Sequence, residues 1–421
     1  MEPDEYARYG RQMLVPEIGL PGQLALRRAR VLVVGAGGLG CGALPYLAGA
    51  GVGTLAIVDH DTVALSNLHR QPLYTVDSVG MLKVDAAAVE LRRRNPGVHY
   101  VAMPLRLSPE TAFAVFDEGY DIVLDCTDTA VTRYLVGDVA RLLNIPLVSA
   151  AALRGDAQLL VVNTEIANSP CYRCVYPSPP PPLLLAPTSA SCADAGVLGP
   201  VVGLAGALQA LEAIRILTGN GATETRGTAL LYSMFSPARQ WRQFTPRPRR
   251  LECATCGDSP KITRELIESS GDEYYVEFCG GRRGRTDGGE SEEQQSDGTP
   301  QISVEDLERA RDEHTPHVLI DVRDDTQYGI CALPGVLHMP LRDMLQGIAS
   351  DNDESTITRL QDARAVFGGD TQVPFYVVCR TGVDSRTAVR LLRSQYGVDA
   401  YDVAGGLDSW STRIDPTFPR Y

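Results

Sequence analysis

Val31-Leu32-Val33-Val34-Gly35-Ala36-Gly37-Gly38-Leu39-Gly40 is the stretch on which the fold turns. Four apolar residues run straight into glycines, the pattern of a strand buried on both faces of a parallel sheet. The glycines satisfy G-x-G-x-x-G, and a helix-compatible stretch follows through Leu47. Such glycines permit a tight turn and let phosphates approach a helix N-terminus. Leu55 to Asp59 reads as the next strand, with Asp59 nineteen residues beyond Gly40, where a carboxylate can hold ribose hydroxyls. Tyr120 to Asp128 is a later strand, and PLVSAAA and AQLLVV continue the sheet. This βαβ rhythm predicts an α/β, Rossmann-like doubly wound domain. Taken alone, the glycine motif points to NAD or FAD.

Outward from that core, the proline-rich run from Tyr176 to Ser191 excludes helix and inner strand and predicts an extended crossing loop. The uncharged run Ala195 to Leu211, broken by Gly199, Pro200, Gly203 and Gly206, reads as a buried core helix rather than a membrane span. Gly280 to Gln301 is rich in glycine and charge and poor in apolar residues, so it reads as a flexible linker. From Ile302 a smaller α/β pattern begins, with strands at His317 to Arg323 and Phe375 to Arg380. The expected organisation is therefore 1–279, a linker at 280–301, and a second domain at 302–421.

The chain has 421 residues, is 44% hydrophobic and 22% charged, and carries a formal net charge of -13. That balance is ordinary for a globular protein but works against a direct nucleic-acid partner, which needs clustered Lys and Arg. The start, MEPDEYARYGRQ, lacks the apolar core of a secretory signal. The expected location is cytoplasmic, and the ten cysteines are expected to be reduced, serving metal or catalysis rather than disulfides.

Ser66-Asn67-Leu68-His69-Arg70-Gln71 follows the acidic strand, Lys83 comes shortly after, and Asp128 ends the later strand. A dehydrogenase needs neither convergent cations nor a carboxylate there. A triphosphate with magnesium needs both; solvated surface charge is the other reading of Arg70 and Lys83, and for either cation taken singly the usual one. Cys171-x-x-Cys174 and Cys253-x-x-Cys256 are two knuckles whose four thiolates suit a tetrahedral structural zinc stapling the domain's tail to its body. A redox dithiol or unrelated core cysteines are the alternatives. Cys192 stands before an apolar helix, where a thiol pKa falls; a small buried residue is the other reading. Cys379 opens Cys379-Arg380-Thr381-Gly382-Val383-Asp384-Ser385-Arg386 between a strand and a helix, a setting of backbone N–H groups and arginines that stabilises a thiolate or persulfide; a buried strand-end cysteine is the other reading. Cys41, Cys126, Cys279 and Cys331 have no comparable context.

RYGRQMLVPEIG, VLVVGAGGLG, IVDHDTVALSNLHRQ and DCTD together resemble the MoeB family and its eukaryotic relatives, the activating enzymes for ubiquitin-related modifiers. The C-terminal part resembles a rhodanese domain, through Asp321-Val322-Arg323, the segment Leu333 to Pro340, and Gly405-Gly406 with Trp410. The resemblance implies that ATP adenylates the C-terminal Gly-Gly of a ubiquitin-like sulfur carrier and that a persulfide then converts it to a thiocarboxylate. It implies Gly38 and Asp59 on the nucleotide backbone and ribose, with Asn67, Arg70 and Lys83 on the phosphates in a pocket that includes Ser66, Leu68 and His69. Asp128 would hold Mg2+. Arg11 would reach into the partner's site of a homodimer. The zinc assignment of the four cysteines is implied too, as is a catalytic role for Cys192, whose context departs from C-A-D-G-G-V by Ala195. A sulfur donor such as a cysteine desulfurase is implied as a further partner. Relatives often carry Asn where this chain has Thr129, and the active loop differs from C-R-x-G-x-R by two extra residues before the arginine. The downstream roles implied are tRNA wobble-uridine 2-thiolation, protein conjugation and molybdopterin synthesis. A NAD-dependent oxidoreductase, a non-catalytic scaffold and a stand-alone thiosulfate sulfurtransferase are the rival readings.

Overall fold

The computed structural model describes residues 1–164, 168–179, 196–219, 227–236, 240–279, 298–349, 354–367 and 372–421. These residues form two compact units, one from the N-terminal part of the chain and one from the C-terminal part.

The first unit is built on an eight-stranded sheet of order β3-β2-β1-β4-β5-β6-β7-β8. Its strands are β1 (Arg30–Val34), β2 (Thr54–Val58), β3 (His99–Met103), β4 (Ile122–Asp125), β5 (Leu147–Leu153), β6 (Asp156–Val162), β7 (Thr228–Ser233) and β8 (Trp241–Phe244). Strands β1 to β5 pair in parallel, as the apolar runs demand. From β5 onward the sheet turns antiparallel. The βαβ expectation thus covers only the first half of the sheet. PLVSAAA and AQLLVV form a hairpin because only Arg154 and Gly155 separate β5 from β6, too few for a crossover.

The helix predicted at Ala195 to Leu211 lies at Gly199–Leu217, later than the sequence suggested, with Pro200 in its first turn. Among the described residues it alone is long and apolar enough to cross a membrane. Here it packs along the helix Gly38–Ala50, where a Cβ on Gly206 would fall 2.2 Å from the Leu39 carbonyl oxygen. Only glycine allows that approach.

The second unit is a five-stranded parallel sheet, β11-β10-β12-β13-β9. It comprises β9 (Gln301–Ile302), β10 (Val318–Asp321), β11 (Leu337–His338), β12 (Phe375–Val378) and β13 (Ala400–Val403). Gln301, placed at the end of the linker by its composition, is already paired with Asp402 in this sheet. Residues 280–297 of that linker lie outside the described residues.

Candidate functional sites

In the first unit the strand order reverses at β1, which lies between β2 and β4. Open α/β sheets bind ligands in the crevice beyond the C-terminal strand ends at such a switch point. The glycine loop leaves β1 here and opens the helix Gly38–Ala50. Gly35 has φ +101°, and a Cβ on it would strike the Cys126 carbonyl at 2.7 Å, so the loop is pressed against the segment that follows β4. Across it, a Cβ on Gly38 would meet Val202 of the long apolar helix at 2.5 Å.

Asp59 sits at the end of β2 and accepts hydrogen bonds from the N–H of Ala36 in the glycine loop (2.7 Å) and of Asp61 (2.8 Å). Burial pushes its carboxyl up, opposed by Lys83 and by those two N–H groups. Lys83, at the start of the helix Lys83–Arg94, is buried, with its Nζ 2.7 Å from Asp61. Arg70 folds back over its own turn, donating to the Ser66 carbonyl at 3.0 Å and lying 2.8 Å from His69 Nε2. Asn67 accepts from the Ala64 N–H (3.3 Å), and Leu68 packs on the core beneath. His69 is held below its ordinary pKa by burial and by Arg70.

On the opposite wall, Asp128 is exposed and makes no hydrogen bond or ion pair among the described residues. Its neighbour Thr129 caps the helix Ala130–Leu142, accepting from the Thr132 N–H, which gives this residue a structural task. Arg11 is exposed on the helix Pro3–Met13.

Sequence reasoning missed two residues of this site. Asp125 is fully buried at the end of β4, where Ser149 (2.6 Å) and Thr127 (2.6 Å) donate to it, so the first carboxylate of DCTD is structural. Tyr74 donates its hydroxyl to the Ala36 carbonyl at 2.7 Å and reaches the Lys83 carbonyl at 3.2 Å, tying the glycine loop to the lysine-bearing helix. A polar tip on an otherwise apolar Leu73-Tyr74 pair was the available signal.

The four knuckle cysteines converge, all buried and unoxidised. Their sulfurs lie 3.8 Å (Cys171–Cys174), 3.5 Å (Cys171–Cys253) and 3.3 Å (Cys174–Cys256) apart. A tetrahedral zinc with Zn–S of about 2.3 Å needs S···S of about 3.8 Å, whereas a disulfide needs about 2.0 Å. The donor set therefore fits zinc, and the Arg250 N–H pointing at Cys174 Sγ (3.3 Å) is the outer hydrogen bond such a thiolate takes. The residues between the cysteines are joined as well. Asp138, inside the helix Ala130–Leu142, accepts from Arg173 (2.9 and 3.0 Å), Thr255 (2.6 Å) and Tyr275 (3.0 Å). One buried carboxylate thus links both knuckles to two helices. Structural zinc contributes on the order of 10 kcal/mol. Cys253→Ser, or chelation at neutral pH, is expected to lower the melting temperature by at least about 10 °C. An unchanged melt with no zinc in metal analysis would remove the assignment.

In the second unit Cys379 follows β12 directly and is 2% exposed. Its Sγ accepts from the Gly382 N–H at 3.1 Å and lies 3.2 Å from Ser385 Oγ. Burial pushes the thiol up, opposed by the Ser385 and Gly382 hydrogen bonds. The expected arginine environment is only partly realised: Arg386 turns to Asp402, Nε to Oδ2 at 3.5 Å. The Gly405-Gly406 segment forms the back of the loop, with Leu407 and Asp408 N–H groups donating to the carbonyls of Cys379 and Arg380 (both 2.9 Å). A Cβ on Gly406, whose φ is +59°, would lie 2.4 Å from the Cys379 carbonyl. Gly406→Ala should therefore cut sulfur transfer at least about tenfold while leaving adenylation unchanged, which a paired assay of the two activities checks. The Asp321–Arg323 pair is fully buried and also holds the Cys331 carbonyl, so this matched motif is a structural clamp. Cys192 lies outside the described residues, and the long apolar helix starts seven positions after it.

A nucleotide-binding crevice, a four-cysteine centre and a loop-borne cysteine on a second α/β sheet define an adenylation enzyme joined to a sulfurtransferase. The chain belongs to the ThiF family, whose model matches residues 9–255, and it carries a rhodanese-like domain at residues 303–413. It is 44% identical over 440 residues to the adenylyltransferase and sulfurtransferase uba4 of Aspergillus clavatus, covering 99% of this chain and 87% of that protein. To the protein of the same name from Ogataea parapolymorpha it is 43% identical, over 99% of both. The chain is accordingly an adenylyltransferase and sulfurtransferase. Among solved structures, E. coli MccB with ATP matches at TM-score 0.51 and 22% identity, covering 59% of this chain and 74% of MccB, a likeness of fold. The same enzyme with AMPCPP and MccA gives TM-score 0.52 and 21% identity, over 61% and 75%.

Proposed function

We propose that the first unit adenylates the C-terminal Gly-Gly of a ubiquitin-like sulfur carrier and that Cys379 supplies the sulfur that makes it a thiocarboxylate. The observation that carries this reading is the pairing, at one switch point, of a glycine loop with Lys83, Arg70 and an uncommitted Asp128. In a single chain, that crevice accompanies a buried cysteine held by backbone N–H groups.

Gly38 and Asp59 would hold the nucleotide backbone and ribose. Asn67, Arg70 and Lys83 would bind the phosphates, with Ser66, Leu68, His69 and Thr129 shaping the pocket. Asp128 would hold Mg2+, which would neutralise phosphate charge. Arg11, from the partner subunit of a homodimer, would complete the site. The carrier carboxylate is already an anion and needs no base. It attacks the α-phosphorus, the bond to pyrophosphate breaks, and an acyl-adenylate forms. Catalysis is then positioning and charge neutralisation. Cys192 would take the acyl group from the adenylate as a thioester, releasing AMP. The terminal sulfur of a Cys379 persulfide then attacks that acyl carbon and the Cys192 thiolate leaves; a second thiol attacks Cys379 Sγ, breaking the remaining S–S bond, which releases the thiocarboxylate and leaves a mixed disulfide on Cys379. A cysteine desulfurase would load Cys379, in the cytoplasm. The product would serve tRNA wobble-uridine thiolation, protein conjugation or molybdopterin synthesis, with the acidic chain itself not touching RNA.

ATP–pyrophosphate exchange tests this. Exchange should appear only with a Gly-Gly-ended carrier present. Tight binding of NADH or a flavin, with no exchange, would replace this reading with the oxidoreductase one.

A further inference from the structure

The helices Gly38–Ala50 and Lys83–Arg94 carry the glycine loop and Lys83 at their N-terminal ends. With 13 and 12 residues, they run about 20 Å and about 18 Å away from the crevice. Both end under one element, the helix Pro3–Met13. Tyr9 is 6% exposed, and its ring covers Gly51, where a Cβ would lie 2.5 Å from Tyr9 Cζ. Asn95, which caps the helix Lys83–Arg94, donates its Nδ2 to the Tyr9 hydroxyl (2.8 Å) and to the Ala48 carbonyl (2.7 Å). Gln12 Nε2 donates to Gln23 Oε1 and to the Ala50 carbonyl (2.9 Å), and Gln23 Nε2 donates to that same carbonyl (2.9 Å). Arg8 Nη1 reaches the Arg94 carbonyl at 2.9 Å, and Glu5 pairs with Arg27 at 3.1 Å. Ala48, Ala50 and Arg94 thus offer the C-terminal carbonyls that a helix leaves without an internal partner.

Glu5, Tyr9 and Gln12 follow i, i+4, i+7 spacing, so they share one face of their helix. At about 100° per residue, Arg11 stands about 120° round from that face, and it is exposed. The clamp therefore faces the subunit's own body, and Arg11 faces outward. It does so at the ends of the two helices that lie away from the glycine loop and Lys83. That separation exceeds the reach of an arginine side chain, so Arg11 does not touch its own crevice.

We propose that Tyr9 and Gln12 are positioning residues for adenylation in trans. With Asn95 and Gln23 they fix the helix from which Arg11 enters the partner's crevice. This rests on the reading of Arg11 as a phosphate-binding group of the partner's site. An arginine on an untethered helix would sweep many positions. The clamp gives it one, set against the same two helices that hold the glycine loop and Lys83. A misplacement of about 1 Å in a group that meets the reacting phosphates can cost about a hundredfold in rate.

The test is carrier-dependent ATP–pyrophosphate exchange by full-length mixed dimers, co-expressed with two tags and purified through both. One subunit carries Lys83→Ala, which disables its own crevice and keeps its Arg11. The other carries Tyr9→Phe together with Gln12→Ala, which removes the hydroxyl and amide contacts. Each homodimer should lose at least about tenfold in exchange. The mixed dimer should recover to about half the parental rate, one site of two, because the intact clamp of one subunit serves the intact crevice of the other. A clamp that merely supports its own subunit's helices would leave the mixed dimer as slow as the two homodimers, and that result overturns the proposal. Full exchange by the double-variant homodimer overturns it too. Arg11→Ala paired with Lys83→Ala is the control. No recovery there removes Arg11 from the partner's site, and the clamp proposal falls with it; recovery there but not with the double variant sinks the clamp alone. If the double variant fails to fold, Gln12→Ala, which leaves Gln23 on the Ala50 carbonyl, takes its place, with an expected loss of at least about threefold as a homodimer and the same recovery in the mixed dimer.

Discussion

Asp128→Ala is expected to reduce carrier-dependent ATP–pyrophosphate exchange by at least about a hundredfold, while the melting temperature stays within about 2 °C of the parent. The first half follows from electrostatics. Removing one preorganised group that stabilises transition-state charge costs about 10²–10³ in rate, and a metal-holding carboxylate beside a triphosphate is such a group. The second half follows from position. Asp128 is exposed and bonds to nothing among the described residues, while the next helix takes its cap from Thr129. Asp125→Ala is the control. It strips the fully buried partner of Ser149 and Thr127, leaving buried polar groups unsatisfied, and should lower the melting temperature. Exchange by Asp128→Ala within threefold of the parent would contradict the magnesium assignment.

Cys379→Ala should leave carrier adenylation within twofold of the parent and abolish thiocarboxylate formation. The sulfur is committed to the second unit's loop by the Gly382 N–H and Ser385, while the glycine loop of the first unit is held by Asp59 and Tyr74. Alanine keeps most of the side-chain volume at a 2% exposed position, so the loop should persist. Separate assays of pyrophosphate exchange and carrier thiocarboxylate check the two halves. Equal loss of both would mean that the two chemistries are not divided as proposed.

The parts of this molecule legible in sequence are those in which chemistry forces local order. Val31 to Gly40 announces a strand, a turn and a helix N-terminus because each residue type is needed where it stands. The two C-x-x-C knuckles state their chemistry before folding brings them together across 82 positions. The hidden parts depend on pairing between distant segments. Asp138 looks like an ordinary helix charge until Arg173, Thr255 and Tyr275 close on it. Its flanks did carry a signal, since Leu135, Val136, Val139 and Ala140 put it in the middle of an apolar stretch. Asp402 likewise reads as one acidic residue in a strand and becomes informative only when Gln301 and Arg386 meet it. The antiparallel half of the first sheet was missed because short apolar runs do not encode strand direction. The later start of the long helix was missed because Ala195 to Leu198 is as apolar as the helix itself.

The most direct test of the account is intact-mass analysis of a Gly-Gly-ended carrier incubated with this protein, ATP, magnesium and a persulfide donor. The account predicts carrier in which one sulfur has replaced one oxygen, formed with ATP and absent without it. Carrier of unchanged mass, or the same gain when ATP is withheld, would contradict it.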